Sequence, residues 1–421
     1  MSNFRQVDRE IGFLLPPSVD EWLPERHLAR FVVEVIERLD LSAMVGAYRG
    51  SGSASYHPSV LLGLLVYGYA TGVFSSRQLE RATYDSVAFR FIAANDHPGH
   101  DTIATFRRRF LAEIEALFVQ VLMLAREAGL LKLGTVALDG TKVHANASRH
   151  SALSYEHASK PEAQLKAEVA ELMALAEAAD SADVPDGMSV PEELARREER
   201  LARIAAAKAK IEARAKERLA REQAEHEAKM RARAEKASKT GRKPGGGFEQ
   251  AYNAQAAVAT GSLLVVTNDV VQAANDKEQI APTLAALAAL PEALGTPEAL
   301  LADSGYFSTA NVTACAEAGI APLIALGRER HHLSWQDRFA EVPPAPDNPT
   351  PLEAMAHRLA SPEGRQLYAL RKQTPEPVFG IIKSVMGFRQ FSLRGLAKVK
   401  GEWNLVTMAW NVKRMFALAP A

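Results

Sequence analysis

One cysteine, Cys315, occurs in the 421 residues. Disulfides within the chain and cysteine-rich zinc sites are thereby excluded, and a reducing, cytoplasmic setting is the expectation. A membrane-crossing run is lacking as well. The longest apolar stretch, VLLGLLVYGYATGVF (60–74), falls short of the roughly 20 residues a bilayer requires, and reads as a buried helix. The first residues, MSNFRQVDRE, are polar and charged, without the apolar segment of a secretory signal. No Walker loop or G-x-G-x-x-G cradle occurs, and GRKPGGG (241–247) lacks the strand–loop–helix setting that binds phosphates. His144, His150 and His157 show no regular ligand spacing that would support zinc. Net charge is absent too: 50 basic and 50 acidic residues cancel, which at first argues against a polyanionic partner.

The distribution of charge argues the other way. Residues 162–193 hold nine acids against one base, and 196–243 hold seventeen bases against eight acids. Those two blocks balance each other, as on a solvated helical segment. Residues 371–414 hold nine bases against two acids, Glu376 and Glu402, and nothing adjacent offsets them. A phosphate backbone responds to such a local field.

Along the chain, residues 1–130 read as a helical domain. Pro58 starts one helix and Gly72 stops it; SSRQLERATYDS starts another behind a serine cap; Asp101 is placed to cap one long helix running to Gly129. Short helices and tight turns, with Arg107 and Arg108 on the last helix, permit a helix-turn-helix that contacts DNA. Residues 156–243, rich in Ala, Glu, Lys and Arg, read as a charged helical hairpin inserted into the domain that follows. That domain comprises 131–155 and 244–421. It begins with a strand at 133–143, continues with a hairpin of YNAQAAVAT and LLVVTNDVVQ, and adds a helix at 277–290. A strand ending in LLADSGY, a helix at NVTACAEAG and a strand at IAPLIAL follow. Residues 329–363 read as a Pro-rich loop, and a basic, partly helical segment closes the chain. Strand, strand, strand, helix, strand, helix, strand gives a mixed five-stranded sheet with helices on both sides, an α/β core with the ribonuclease H-like order.

Two aspartates share one context in that core: VALDGTK holds Asp139 and LLADSGY holds Asp303. Aspartate is a poor strand former, so two at strand ends beside glycine invite comparison. On neighbouring strands, roughly 5 Å apart, both carboxylates would reach one hard cation. A third acid is expected from a later helix. In QTPEPVFG, Thr374 as N-cap and Pro375 as first helical residue would put Glu376 at the positive end of a helix. Glu402 is the rival.

Three stretches carry a resemblance to bacterial insertion-sequence transposases of the DDE type with an InsH-like N-terminal domain. YHPSVLLGLLVYGYATGVFSSRQLERATYDSVAFRFIAAND with HDTIATFRRRF resembles that N-terminal domain. ALDGTKVHANAS and LADSGYFS resemble the two aspartate motifs. RKQTPEPVFGIIK with GFRQFSLRGLAKVKGEWNLVTMAWNVKRM resembles the glutamate region. The resemblance implies that Asp139, Asp303 and Glu376 bind two Mg²⁺ ions, with Mn²⁺ as a substitute. It implies cleavage of DNA at the element's terminal inverted repeats, strand transfer to target DNA and a homodimer in the synaptic complex. Tyr368, Arg371, Glu376 and Lys383 fall on the family's Tyr, Arg, Glu, Lys signature, although Lys372 fits the arginine spacing better than Arg371. Lys142, Arg394 and these basic residues are the expected phosphate contacts. A catalytically silent, DNA-binding or scaffolding derivative is the alternative, and a nuclease without strand transfer would use the same site.

Overall fold

The computed structural model describes residues 18–48, 54–146, 202, 250–273, 275–327 and 347–419. Met1–Asn146 with Ala251–Ala421 form one compact unit and Ala147–Gln250 a second. The expected helical hairpin at 156–243 lies outside the described residues, apart from Ala202.

Among the described residues, the first unit has eight helices before its sheet: α1 (Val19–Trp22), α2 (Leu28–Glu37), α3 (Ser42–Gly46), α4 (Pro58–Thr71), α5 (Ser76–Asp85), α6 (Val87–Ile92), α7 (His100–Arg109) and α8 (Leu111–Glu127). The apolar run at 60–74 is the buried helix α4, with Pro58 in its first turn. It stops at Gly72, whose φ of 89° lies in the left-handed region that glycine enters without strain. The long helix expected from Asp101 to Gly129 is corrected in two respects. Gly99 is its N-cap, leaving Asp101 inside the first turn, and the helix breaks at Phe110, which leaves helical geometry at φ −108°, ψ 28°. Phe110 is nearly fully buried, so the break redirects the chain around a core side chain.

Five strands follow: β1 (Thr135–His144), β2 (Ala251–Ala259), β3 (Val265–Val271), β4 (Ala299–Ala302) and β5 (Ala321–Ile324). They form one mixed sheet in the order β3-β2-β1-β4-β5. The first three make an antiparallel meander, and β4 and β5 run parallel to β1. This is the order and direction expected of a ribonuclease H-like core. Helices α9 (Ile280–Ala288), α10 (Thr309–Glu317), α11 (Pro351–Ala360), α12 (Pro362–Gln373), α13 (Pro375–Ser384) and α14 (Leu396–Leu418) surround it. Among the described residues, no single helix is long and apolar enough to cross a membrane.

Part of the expected loop at 329–363 is helical. Residues 328–346 lie outside the described set, but α11 begins with a complete capping box between Thr350 and Glu353. Ser361 then caps α12, where Gly364 meets the preceding helix end so closely that a Cβ would run into the carbonyl oxygen of Arg358. Backbone cannot yield there as a flexible side chain would. Gly364→Ala is therefore expected to cost about 1–3 kcal/mol, seen as a lowered urea midpoint; an unchanged midpoint would show that the α11–α12 corner is loose.

Helix α14 packs against both the N-terminal helices and the sheet. Its residues from Val399 to Val412 are almost all buried. Trp403 Nε1 donates to Gln255 O at 3.0 Å, and Asn411 bridges the main chain of Val265, accepting from N and donating to O at 2.8 Å each. On the other side, Tyr69 of α4 donates to Glu402 Oε1 at 3.0 Å and itself accepts from Arg107 Nη1 at 3.0 Å. Glu402, with no exposed surface, also accepts from the main-chain N of Ser392 and Leu393. It is thus an internal acceptor and not the rival third acid. Arg107 is corrected in the same way: buried and tied to Tyr69 and to Phe74 O at 3.0 Å, it does not reach a nucleic-acid surface.

Candidate active site

The two aspartates stand at equivalent places on adjacent parallel strands. The last register pair of β1 and β4 is Ala137↔Leu301, and Asp139 and Asp303 each lie two residues beyond it. Alternation then turns both side chains to the same side of the sheet. Past this point β4 has ended while β1 continues against β2, leaving a step in the sheet beside the half-buried carboxylates. Asp139 Oδ1 accepts from Gly140 N at 2.8 Å, and Asp303 Oδ1 accepts from Gly305 N at 2.8 Å as the N-cap of a 3₁₀ turn over Ser304–Tyr306.

Burial, followed by repulsion from Asp303 and Asp276, pushes the Asp139 carboxyl up from its usual 3.8 to about 6; the Gly140 amide and the Arg371 guanidinium act in the opposite sense. Asp139 is thus a carboxylate whose charge the fold itself does not neutralise.

The helical side of the site comes from α12 and α13. Leu367, Tyr368 and Leu370 of α12 pack on Ala137 and Leu301, and Tyr368 Oη donates to Ala302 O at 3.3 Å. Further along β1, Lys383 of α13 donates to Thr141 Oγ1 at 2.6 Å and to Lys142 O at 2.7 Å. Ala137, Asp139 and Thr141 share one face of β1 by alternation, so these two attachments bracket Asp139. The α12–α13 junction between them holds Arg371 and Glu376. As expected, Thr374 is the N-cap and Pro375 the first helical residue of α13. Glu376 is exposed in the first turn, seven residues from Lys383 and so on the same helix face. The guanidinium of Arg371 lies 6.0 Å over the Tyr368 ring.

The other basic candidates lie at the surface. Lys142, Lys372, Arg108 and Arg394 are exposed; Arg394 Nη2 donates to Asn146 Oδ1 at 3.5 Å, and Arg108 Nη2 donates to Thr105 Oγ1 at 3.4 Å. The Lys383 ammonium is directed to β1, and burial lowers its pKa.

Sequence reasoning missed four residues here. Asn253 and Gln255, buried on β2, both donate to Asp276 Oδ1, at 2.6 and 2.7 Å. Tyr306 donates to Gln255 Oε1 at 2.5 Å, and its phenol pKa is raised by burial and then by the charges of Asp276, Asp139 and Asp303. The available signal was Asn and Gln two apart in YNAQAAVAT, since buried amides require partners. Asp276, in a loop, offered none. Among the described residues, no group of three or more His, Cys, Asp or Glu side chains is already gathered to hold a metal ion.

Two families match the chain by sequence. Transposase domain (DUF772) matches residues 17–109, and Transposase DDE domain matches residues 213–412. The second span includes Asp276, Asp303, Glu376 and Lys383 and begins beyond Asp139. No curated protein and no solved structure matches the chain.

Proposed function

For a chain that belongs to the insertion-sequence DDE transposases, we propose cleavage of phosphodiester bonds at the element ends and transfer of the freed strand to target DNA, with Asp139, Asp303 and Glu376 as the catalytic acids. The observation that supports this most is the matched pair of aspartates beyond Ala137↔Leu301, one of them with its carboxyl pushed up to about 6 by burial and neighbouring acids. An all-oxygen donor set with excess negative charge fits a hard divalent cation such as Mg²⁺ or Mn²⁺. Bound there by Asp139, Asp303 and Glu376, such ions would polarise the phosphoryl oxygens and activate the attacking water or 3′-hydroxyl.

The chain's own groups then have distinct tasks. Gly140 N and Arg371 favour the ionised form of Asp139. Lys383 fastens α13, which carries Glu376 in its first turn, to β1. Lys142, Lys372, Arg108 and Arg394 supply exposed positive charge for the DNA backbone, which positions the duplex without reading its sequence. Tyr368 and Arg371 line the same junction. Joining two element ends calls for two copies of the chain, so a homodimer is part of this reading.

Removal of divalent metal tests it. With a chelator present, the protein is expected to retain element-end DNA in a gel shift and to leave it uncut, and added Mg²⁺ is expected to restore nicking. Cutting that persists in the chelator would sink the reading. Binding with no cutting in either Mg²⁺ or Mn²⁺ would favour the catalytically silent alternative.

A further inference from the structure

We propose that Asp276 is a further carboxylate for the divalent cation at Asp139 and Asp303, its headgroup aimed by Asn253 and Gln255. This rests on the cation site proposed above and extends it by a residue outside the Asp, Asp, Glu set. Two buried amides, each about 2 % exposed, donate to one and the same oxygen, Asp276 Oδ1. The orientation of Gln255 is fixed in turn, because its Oε1 accepts from Tyr306 and its main-chain O from Trp403. With Oδ1 so occupied, Oδ2 lies on the Asp303 side. A Cβ on Gly305 would stand 3.8 Å from Asp276 Oδ2 and 2.9 Å from Asp303 Oδ1, so both oxygens lie close to Gly305. Gly140 makes room from the other direction: a Cβ there would strike Gln255 Nε2 and lie 2.9 Å from Asp276 Oδ1.

Folding alone does not call for a charge at this position. A neutral asparagine would accept from both amides with its own Oδ1, and would spare the repulsion that Asp276 exerts on Asp139. A carboxylate held by dedicated amides against two others is explained when the three serve a cation, since orienting partners of this kind preserve ligand geometry.

Asp276→Asn separates the two roles. Mn²⁺ is titrated into the full-length protein without DNA, and free Mn²⁺ is followed by its electron paramagnetic resonance signal. The Kd is expected to rise about 10- to 100-fold, the usual effect of removing a supporting group at a metal site. The melting temperature in chelator is expected to hold or rise, because the hydrogen bonds persist and a like charge is gone. A Kd within twofold of the parent overturns the proposal, as does a lowered melting temperature with unchanged Mn²⁺ affinity. If Asp276→Asn does not fold, Asp276→Glu decides: the added methylene displaces the carboxylate, and unchanged Mn²⁺ affinity overturns the proposal. Asp139→Asn run in parallel identifies which idea fails. If it too binds Mn²⁺ as the parent does, the cation site itself is wrong; if it alone loses Mn²⁺, only the role of Asp276 is.

Discussion

Asp139→Asn is expected to bind element-end DNA as the parent does and to cleave it on the order of 10³-fold more slowly or worse. Polarisation of a phosphoryl oxygen by a metal is worth several kcal/mol, and each 1.36 kcal/mol is about tenfold in rate. Asparagine keeps the shape and the acceptor for Gly140 N, so the loss isolates the charge. Stability is expected to move the opposite way. The folded protein holds the Asp139 proton up to a pH of about 6, against 3.8 for the ordinary group. Without metal, the folded state therefore binds more protons than the unfolded one between these values, and stability falls as pH rises through that window. The shift corresponds to at most about 3 kcal/mol. Urea unfolding in chelator should thus find Asp139→Asn more stable than the parent at pH 7 and level with it near pH 4. Equal cleavage by the variant would remove Asp139 from the chemistry. A variant less stable at pH 7 would show that its carboxylate is held by favourable contacts and not against its surroundings.

Glu402→Ala has the largest expected effect on folding, about 3–5 kcal/mol, as when one partner is removed from a buried charged network. The main-chain N of Ser392 and Leu393 and the Tyr69 hydroxyl would lose their acceptor, each at a cost of about 1–3 kcal/mol when left buried. Arg107, 8 % exposed, would lose the nearby negative charge. The damage would spread to the sheet, because the segment held by Glu402 also pairs with the end of β1 through Phe391 N and His144 O. Glu402→Gln is expected to recover only part of this, since whichever way its amide is turned the NH2 faces donors: Ser392 N and Leu393 N at one position, the Tyr69 hydroxyl and Ser392 N at the other. Thermal melting and soluble yield measure both variants. A Glu402→Ala protein that melts within about 2 °C of the parent would mean that the network contributes little.

Local patterns read well where one element's own periodicity decides its structure. Pro58 and Gly72 bound α4, the meander and the two later strands form where β-rich runs lie between turns, and Thr374 with Pro375 starts α13. Errors occur where packing chooses among permitted outcomes. The chain from Asp101 onward is helical by periodicity, yet it leaves helical geometry at the buried Phe110. The capping box of Thr350 and Glu353 was present in the sequence but lay among prolines that favoured a loop.

Arg107 and Arg108 look alike in FRRRF, yet one is buried against Tyr69 and the other lies at the surface. Nothing local separates them, because the partner of Arg107 is brought in by α4 and α14. Glu376 and Glu402 differ in the same way: either acid suits a site, and only the packing of α14 makes Glu402 an internal acceptor. The sequence by itself determined the succession of strands and helices and the two matched aspartate contexts, since alternation and turn chemistry act over a few residues. Asp303 follows its strand as expected, whereas Asp139 lies inside β1 and not at its end. Tertiary structure alone decided that Asp139 and Asp303 lie level beyond Ala137↔Leu301 and that Asp276 comes to stand beside them. The β1–β4 register depends on partners more than a hundred residues apart in the chain, and the place of a loop acid against the sheet depends on side chains of another strand, Asn253 and Gln255.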